Sequence, residues 1–333
     1  MQSLIRNYFK NGCLSKSDKL LALLFPKLVF SLNAKKIISL AKSNSSSAKE
    51  ISETVSVTVE DYPYNNKHVI ALGIFLQRNL KDDLAGAYVH GSVGTDELIA
   101  YSDFDALVII KDAVFDDEKK LIRVALKLKE AEQFMYALDP LQHHGWFVLT
   151  ESDLSNYNNH YFPVELFAHA KSILATGLKK LKIIIADDDN FQSPFIGLCK
   201  IIERTTSYQK CPQTLYDLKT LLSGFMLLPA LYVQQRDGKA VFKKYSFEKA
   251  KTDFEKEEWK IMDQVSTIRS QWNQKNISLS SQKLAARFTI IPFLSKYFRT
   301  KTPNNLKQKI NSDFLMRMNQ FTEIIRTNIQ DNK

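Results

Sequence analysis

The sequence predicts an α+β protein in which a small mixed β-sheet lies between N-terminal helices and an all-helical C-terminal domain. Apolar residues recur at helical spacing through residues 1–80 and 191–333, whereas short, nearly continuous runs of Val, Ile and Leu, typical of buried strands, fall in residues 81–190. A chain of 333 residues is long enough for about two domains with separate cores. We therefore expect boundaries near residues 80 and 190.

Helical spacing predicts the N-terminal helices, over residues 17–25, 29–41 and 68–80. Pro26 separates the first two, because the residue before a proline is disfavoured in the helical region. The polar run Lys42–Ser47 predicts a linker, with Ser47 able to cap a helix that begins at Ala48. The first 80 residues are therefore expected to be mostly helical.

The middle of the chain predicts strands over residues 85–89, 104–110, 143–150 and 181–186. Residues 116–136 are rich in Lys, Glu, Leu and Ala and start with acidic residues, which favours a helix beginning there. A further helix is predicted over 163–175. The acidic run Asp187–Asn190 predicts a solvated turn or a helix cap. The first three strands and the long helix thus follow the order strand–strand–helix–strand.

The C-terminal part predicts helices over residues 194–208, 214–235, 247–274, 281–298 and 304–328. Pro229 and Pro292 lie inside two of these segments. Since proline removes a backbone donor and clashes with the preceding turn, both segments should kink or divide there.

Charge and cysteine content bound the function classes. Three widely spaced cysteines form neither a disulfide framework nor a zinc motif, so a reducing, cytoplasmic compartment is expected. The longest apolar run, residues 20–32, is interrupted by Pro26 and Lys27 and is shorter than the ~20 residues that span a bilayer, so we expect no membrane partner. The net charge of +10 favours polyanionic ligands such as nucleotides or RNA.

The most informative stretch pairs a Gly-Ser turn with two aspartates. Gly91-Ser92 follows an apolar run, and after ten residues Asp103 and Asp105 stand at i and i+2 before another apolar run. Because strand side chains alternate, Asp103 and Asp105 are expected on one face and Phe104 on the other. Paired carboxylates suit Mg²⁺, and a glycine turn with an adjacent hydroxyl suits phosphate oxygens.

These residues resemble the signature of the DNA polymerase β-type nucleotidyltransferase superfamily, over roughly a fifteenth of the chain. The resemblance implies that residues 81–190 are a catalytic domain in which Asp103 and Asp105 bind two Mg²⁺ ions. Gly91 and Ser92 would hold the triphosphate of ATP or another NTP. The implied reaction moves a nucleoside monophosphate to an acceptor hydroxyl and releases pyrophosphate.

The third acidic position departs from this pattern. Superfamily members usually carry another carboxylate on the strand after the long helix, but the strand predicted over residues 143–150 has no acid before Glu151. Three replacements stay open: His144 as a neutral base or metal ligand, Asp139 from the preceding loop, or a Mg²⁺-bound water. We favour His144 as a catalytic residue, supported by Asp139, over a purely structural role for the histidines.

Strand alternation makes a specific prediction for this segment. It places His144 on the same face as Trp146 and Val148, and His143 with Phe147 on the other. If His144 faces the aspartates, replacement of His143 should affect mainly stability.

A second resemblance concerns the C-terminal part. Gly238 to Lys243, with the pattern Gly-x-x-Val-x-Lys between a largely apolar helical segment and the start of another helix, is similar to the helical domain of aminoglycoside adenylyltransferases. The resemblance implies that Lys243 reaches the nucleotide phosphates, a role that a mobile point charge suits, and that the acceptor is a small hydroxylated molecule. A solvated basic loop is the alternative for Lys243.

Two other functions remain open. Transfer to RNA or protein is supported only by the basic net charge and the lysines and arginines of the C-terminal helices. A non-catalytic nucleotide-binding protein is supported by the missing third carboxylate. We favour the small-molecule acceptor because the sequence contains no recognisable RNA-binding module.

Overall fold

The computed structural model describes residues 2–44, 51–186, 194–273, 277–288 and 291–331. In chain order the helices are α1 (Gln2–Asn11), α2 (Lys16–Leu24), α3 (Pro26–Asn44), α4 (Lys67–Leu80), α5 (Gly91–Gly94), α6 (Glu118–Leu138), α7 (Glu151–Ser155), α8 (Pro194–Thr206), α9 (Leu215–Phe225), α10 (Leu228–Asp237), α11 (Lys243–Lys251), α12 (Lys256–Ser270), α13 (Leu279–Arg287), α14 (Pro292–Phe298), α15 (Asn304–Lys309) and α16 (Ser312–Asp331). The strands are β1 (Ile51–Thr58), β2 (Glu60–Asp61), β3 (Leu84–Val89), β4 (Ala106–Ile110), β5 (Phe147–Thr150), β6 (Lys171–Ser172) and β7 (Lys180–Ala186). Asp112–Asp116 and Val164–His169 form 3-10 helices.

The strands form two sheets. Five of them lie in the order β2-β6-β3-β4-β5, in which β3 runs antiparallel to β4 and β6, and β4 runs parallel to β5. The strands β1 and β7 form a separate antiparallel pair. The predicted α+β class, a small mixed sheet with helices before and after it, is confirmed.

Contacts divide the chain into two compact units. The sheet unit consists of Met1–Leu98, Ser102–Asp188 and Gln282–Tyr297, and the helical unit of Ile99–Tyr101, Asp189–Ser281 and Phe298–Lys333. The boundaries expected near residues 80 and 190 stay predictions. No helix in the described part of the chain is long and apolar enough to cross a membrane.

Strand β4 is buried on both faces, which is why its sequence is a continuous apolar run. Ala106, Val108 and Ile110 lie in an apolar cluster with residues of α1, α3, α4 and α6, whereas Leu107 and Ile109 lie in a cluster with residues of β7 and the second 3-10 helix. Strand alternation continues through Phe104, which is fully buried in the helix-covered cluster. The two clusters therefore hold β4 and the residues just before it in a fixed orientation.

Two predictions in the sheet unit are wrong. Residues 51–58 form strand β1, which pairs antiparallel with β7, and Val55 and Val57 pack against the apolar cluster that contains residues of β7. The helix predicted over 163–175 is a 3-10 helix that ends at His169, after which β6 pairs with β3 through Tyr88 and Val89. In both cases the segment pairs with a strand that is distant in the sequence, which a prediction of a local helix does not take into account. The predictions for Ser47, Ala48 and Asp187–Asn190 lie outside the described residues.

The helical segments predicted for the C-terminal part are more divided than expected. Breaks occur at the two expected prolines, since Pro229 is the second residue of α10 and Pro292 is the first residue of α14. Two further breaks were not predicted. Residues 252–255 separate α11 from α12, where Glu255 and Glu258 form a capping box, and residues 310–311 separate α15 from α16.

Candidate active site

The Gly-Ser turn lies where β3 ends inside the sheet unit. The chain leaves Val89 in an extended conformation at His90, and Gly91 then adopts a left-handed φ of +60° as the first residue of α5. A side chain at this φ would strain the backbone, which explains the need for glycine. The short helix is closed by bonds from the Gly94 N–H to the His90 carbonyl (3.2 Å) and from the Thr95 N–H to the Gly91 carbonyl (3.2 Å).

Asp105 lies directly against this turn. Val89 is paired with Ala106 in the β3–β4 ladder, and the His90 N–H continues the pairing by donating to the Asp105 carbonyl at 3.1 Å. A Cβ placed on Gly91 would lie 2.6 Å from Oδ2 of Asp105. The ladder register fixes Val89 opposite Ala106, so the ten residues 93–102 lie outside the ladder and Asp105 lies beside Gly91.

Gly94 is a further residue that the turn requires and that the sequence analysis missed. A Cβ on Gly94 would lie 2.7 Å from the His169 carbonyl oxygen and 3.0 Å from that of Val89. The short helix can therefore pack on the end of β3 only with glycine at this position. The recurrence of glycine three residues after Gly91 is the sequence signal that could have revealed it.

Asp103 lies with two histidines rather than against the glycine turn. Its Oδ1 is 3.6 Å from Nδ1 of His143, and the two side chains are only 15% and 10% exposed. His144 is exposed, and one ligand atom from each of Asp103, His143 and His144 lies within 4.8 Å of the others. The imidazole rings of His143 and His144 have centroids 3.9 Å apart. This Asp103–His143–His144 cluster brings together one carboxylate and two imidazoles.

The prediction that His143 and His144 point to opposite faces is wrong. The strand begins only at Phe147, so the two histidines lie in the preceding loop, where side chains need not alternate. Alternation does hold after them: Trp146 and Val148 pack in the helix-covered cluster, whereas Phe147 packs against the other one. His143, expected away from the aspartates, is the histidine at ion-pair distance from Asp103.

Gln142 holds this loop against the aspartates. Its side chain is 4% exposed; its Oε1 accepts a hydrogen bond from the Phe104 N–H at 3.0 Å, and its Nε2 donates to the Phe104 carbonyl at 2.8 Å. Phe104 stands between Asp103 and Asp105, and Gln142 immediately precedes His143. One buried amide thus fixes both aspartates relative to the histidines. No sequence pattern marks Gln142, because its role depends on a contact with a distant segment.

Asp139, proposed as a supporting group, lies at the turn that leads into the loop. It is buried, and its Oδ1 accepts a hydrogen bond from the Leu141 N–H at 3.0 Å. This bond orients the turn after α6, and the Gln142 N–H donates to the Asp139 carbonyl at 3.0 Å. Asp139 therefore shapes the loop that carries the histidines.

The two other predicted phosphate-binding side chains, Ser92 and Lys243, lie in different units of the chain. Ser92 is the second residue of α5, partly exposed beside Gly91. Lys243 is the first residue of α11, in the helical unit, five residues after Gly238 closes α10 with a left-handed φ of +71°.

His90, the residue before Gly91, is a packing residue. It is buried, and its ring lies edge-on to Phe147 and Phe162 at centroid distances of 5.3 and 4.9 Å. Burial lowers the pKa of the His90 imidazole; nearby Asp105 opposes this shift, and His144 adds to it. His90 is therefore held neutral beside the candidate site.

Comparisons with known proteins add little. No family model and no curated protein matches the sequence. Among solved structures, the spectinomycin adenyltransferase from Enterococcus faecialis, determined with ATP and spectinomycin, aligns with 70% of this chain and 99% of its own, at 15% identity and a TM-score of 0.32. A similarity of this extent establishes neither the fold nor the function of this chain.

Proposed function

We propose that the sheet unit carries a Mg²⁺-dependent nucleotidyl-transfer site, which moves a nucleoside monophosphate from ATP or another NTP to a hydroxyl of a small-molecule acceptor and releases pyrophosphate. One observation carries the proposal: the carboxylate of Asp105 lies against the left-handed turn of Gly91, although ten residues separate Ser92 from Asp103. The two parts of the motif are thus adjacent in space as well as ordered in sequence.

The residues present fit the metal that this chemistry needs. Asp103 and Asp105 are both partly exposed and offer carboxylate oxygens, the ligands that Mg²⁺ prefers. When bound, Mg²⁺ ions neutralise phosphate charge and favour the ionised form of an attacking hydroxyl. The two aspartates are therefore assigned as metal ligands and catalytic residues in this proposal.

The chain's own groups bind and position the triphosphate. Because Gly91 has no side chain, the Asp105 carboxylate packs against the backbone of the turn, so the proposed metal ligand and the proposed phosphate donors lie side by side. The Ser92 hydroxyl and the first N–H groups of the turn, which have no acceptor within a helix, can donate to phosphate oxygens. Catalysis of this kind relies on positioning and charge rather than on covalent chemistry. Lys243 stays a proposed phosphate-binding residue on the resemblance alone.

His144 is proposed to act at the acceptor hydroxyl. It is exposed and belongs to the same cluster as Asp103. It can therefore serve either as a general base or as a metal ligand beside this aspartate. Asp139 is a weaker candidate for the base, because it is buried and its carboxylate accepts the Leu141 N–H.

The proposal is tested by incubating the protein with Mg²⁺, NTPs labelled at the α-phosphate, and separate pools of small molecules, RNA and protein. We expect label to appear in a small molecule together with an equal amount of pyrophosphate. Label in RNA, with a rate that falls steeply as salt rises, would instead establish the nucleic-acid alternative. Nucleotide binding without label in any pool would establish the non-catalytic alternative.

A further inference from the structure

We propose that Asp103, His143 and His144 form a binding site for a late first-row transition-metal ion such as Zn²⁺ or Co²⁺, in preference to Mg²⁺. In its catalytic consequence this inference rests on the proposed function, since Asp103 is shared, but the binding of the ion does not. The cluster supplies two imidazole nitrogens and one carboxylate, with one ligand atom of each within 4.8 Å of the others.

The donor set selects the class of metal. Imidazole nitrogen suits zinc and other late first-row ions, whereas Mg²⁺ takes oxygen ligands and retains waters. Affinity at a nitrogen and oxygen site also rises along the series from manganese through cobalt to copper and falls again at zinc. A site with two histidines should therefore discriminate strongly against Mg²⁺, unlike the pair Asp103 and Asp105.

The spacing of the donor atoms suits a shared ion. Two ligand atoms that are each about 2.0–2.1 Å from one tetrahedral ion lie about 3.4 Å apart. Nδ1 of His143 and Oδ1 of Asp103 are 3.6 Å apart, which is close to this separation. His144 is the third member of the set: it is exposed, its ring lies beside that of His143, and one of its nitrogens lies within 4.8 Å of the other two ligand atoms.

The site is also held in place before any ion arrives. The buried hydrogen bonds of Gln142 to both polar groups of Phe104 tie the residue before His143 to the residue after Asp103. Two of the three ligands thus come from segments locked to each other, which lowers the entropy lost on binding. The exposed third ligand provides the route of entry.

The chemical consequence concerns the missing third carboxylate. In this assignment His144 is a ligand rather than a general base, and the two histidines supply the donors that an acid on this strand would otherwise supply. His143→Ala should then affect metal binding directly, contrary to the mainly structural role expected from strand alternation.

The test uses tag-free, full-length protein stripped with a chelator and titrated with Co²⁺ without nucleotide. We expect one Co²⁺ per chain, detected by its visible d–d absorption, and displacement by Zn²⁺ but not by a large excess of Mg²⁺. Loss of a histidine ligand should weaken Co²⁺ binding by at least about tenfold, as for changes around other metal sites, in both His143→Ala and His144→Ala.

The matched control is His68→Ala, on α4 outside the cluster, which should bind Co²⁺ like the wild type. Because His144 is exposed, His144→Ala keeps the test valid even if His143→Ala fails to fold. Equal Co²⁺ affinity in His144→Ala and the wild type would overturn the inference.

Asp105→Asn separates this inference from the proposed function. We expect this variant to retain histidine-dependent Co²⁺ binding while losing transfer. If the wild type shows histidine-dependent Co²⁺ binding but no transfer, the proposed function alone is overturned. If Mg²⁺-dependent transfer is observed but Co²⁺ binds equally well to the wild type, His143→Ala and His144→Ala, the metal inference alone is overturned.

Discussion

The candidate site has two sides that are held by different interactions. On one side, the β3–β4 ladder brings Asp105 against Gly91 through backbone pairing that extends to the His90 N–H. On the other, the loop of residues 139–146 is held against Phe104 by the side chain of Gln142. The β3–β4 pairing is implied by two apolar runs separated by a spacer. The two hydrogen bonds of the Gln142 side chain to Phe104, the Gln142 clamp, leave no pattern in the sequence. The first side was therefore predictable from spacing, and the second was not.

This difference also separates the kinds of damage that substitutions should cause. Changes on the ladder side should alter the chemistry of the site while the sheet survives, because the β3–β4 pairing is made by backbone groups. Changes in the loop should alter stability and chemistry together, because the clamp is itself a buried structural contact.

The largest effect is expected from Asp105→Asn. Removing one metal-ligating charge should cost several kcal/mol of transition-state stabilisation, so transfer should fall by more than about a hundredfold. The free energy of unfolding should change little, because the carboxylate is partly exposed. Initial rates and urea unfolding measure the two quantities. Asp116→Asn, at an exposed ion pair with Lys42, is the matched control and should leave both near the wild-type values. Near-normal transfer in Asp105→Asn would contradict the metal assignment.

Gln142→Leu tests the clamp. It leaves the buried N–H and carbonyl of Phe104 without their partner, and each unsatisfied buried group costs about 1–3 kcal/mol, so the free energy of unfolding should fall by roughly 2–6 kcal/mol. Transfer should fall as well, because the residue between the two aspartates is released. Gln133→Leu, at an exposed position on α6, serves as the control for the same change of side chain. Equal stability of the two variants would show that the clamp does not hold the loop.

Gly91→Ala tests the contact between the turn and Asp105. The left-handed φ of +60° should cost about 1–2 kcal/mol, and the new methyl group must also displace Oδ2 of Asp105. Gly238→Ala has a similar φ of +71° with no atom within 4 Å of the added Cβ, so it measures the backbone strain alone. We expect Gly91→Ala to lose more transfer activity than Gly238→Ala at a comparable loss of thermal stability. The same loss of activity in both would remove the support for the contact.

The smallest effect, and the only gain, is expected from Glu132→Gln. Glu132 is buried on α6, and its Oε1 lies 3.4 Å from a Cβ placed on Gly145, the residue after His144. Burial raises the pKa of its carboxyl despite the ion pair with Lys129 at 2.5 Å. Ionising Glu132 therefore costs stability at neutral pH. Since Lys129 is half-exposed and can be solvated alone, Glu132→Gln should increase the free energy of unfolding at pH 7, by an amount within about 1 kcal/mol.

The sign with pH follows from the raised pKa. As pH falls through the folded-state pKa of Glu132 towards the ordinary value of 4.5, the carboxyl becomes protonated in the folded protein and the penalty disappears. The advantage of Glu132→Gln over the wild type should therefore shrink between pH 7 and pH 4.5. Urea unfolding of both proteins across this range is the measurement. A variant less stable than the wild type at pH 7 would show that the pair with Lys129 outweighs the cost of burial.

Local patterns determined the parts of this protein that depend on neighbours along the chain. The apolar run of β4, the glycine at the start of α5, the position of the aspartates before β4 and the breaks at Pro229 and Pro292 follow from periodicity, backbone freedom and proline chemistry. These features need no knowledge of distant contacts. For the same reason the α+β class and the order of the main elements were predictable.

Only the tertiary structure decided what depends on distant contacts. Residues 51–58 became a strand because β7 was available to pair with them, and the histidine loop stopped alternating because β5 begins at Phe147. The meeting of Asp103 with His143 and His144 depends on Gln142, whose partner lies 38 positions away in the sequence. The spacing of apolar residues in the sequence indicates whether a local segment is a helix or a strand. A contact between two loops depends instead on the packing around both loops, and this packing leaves no periodic pattern in the sequence.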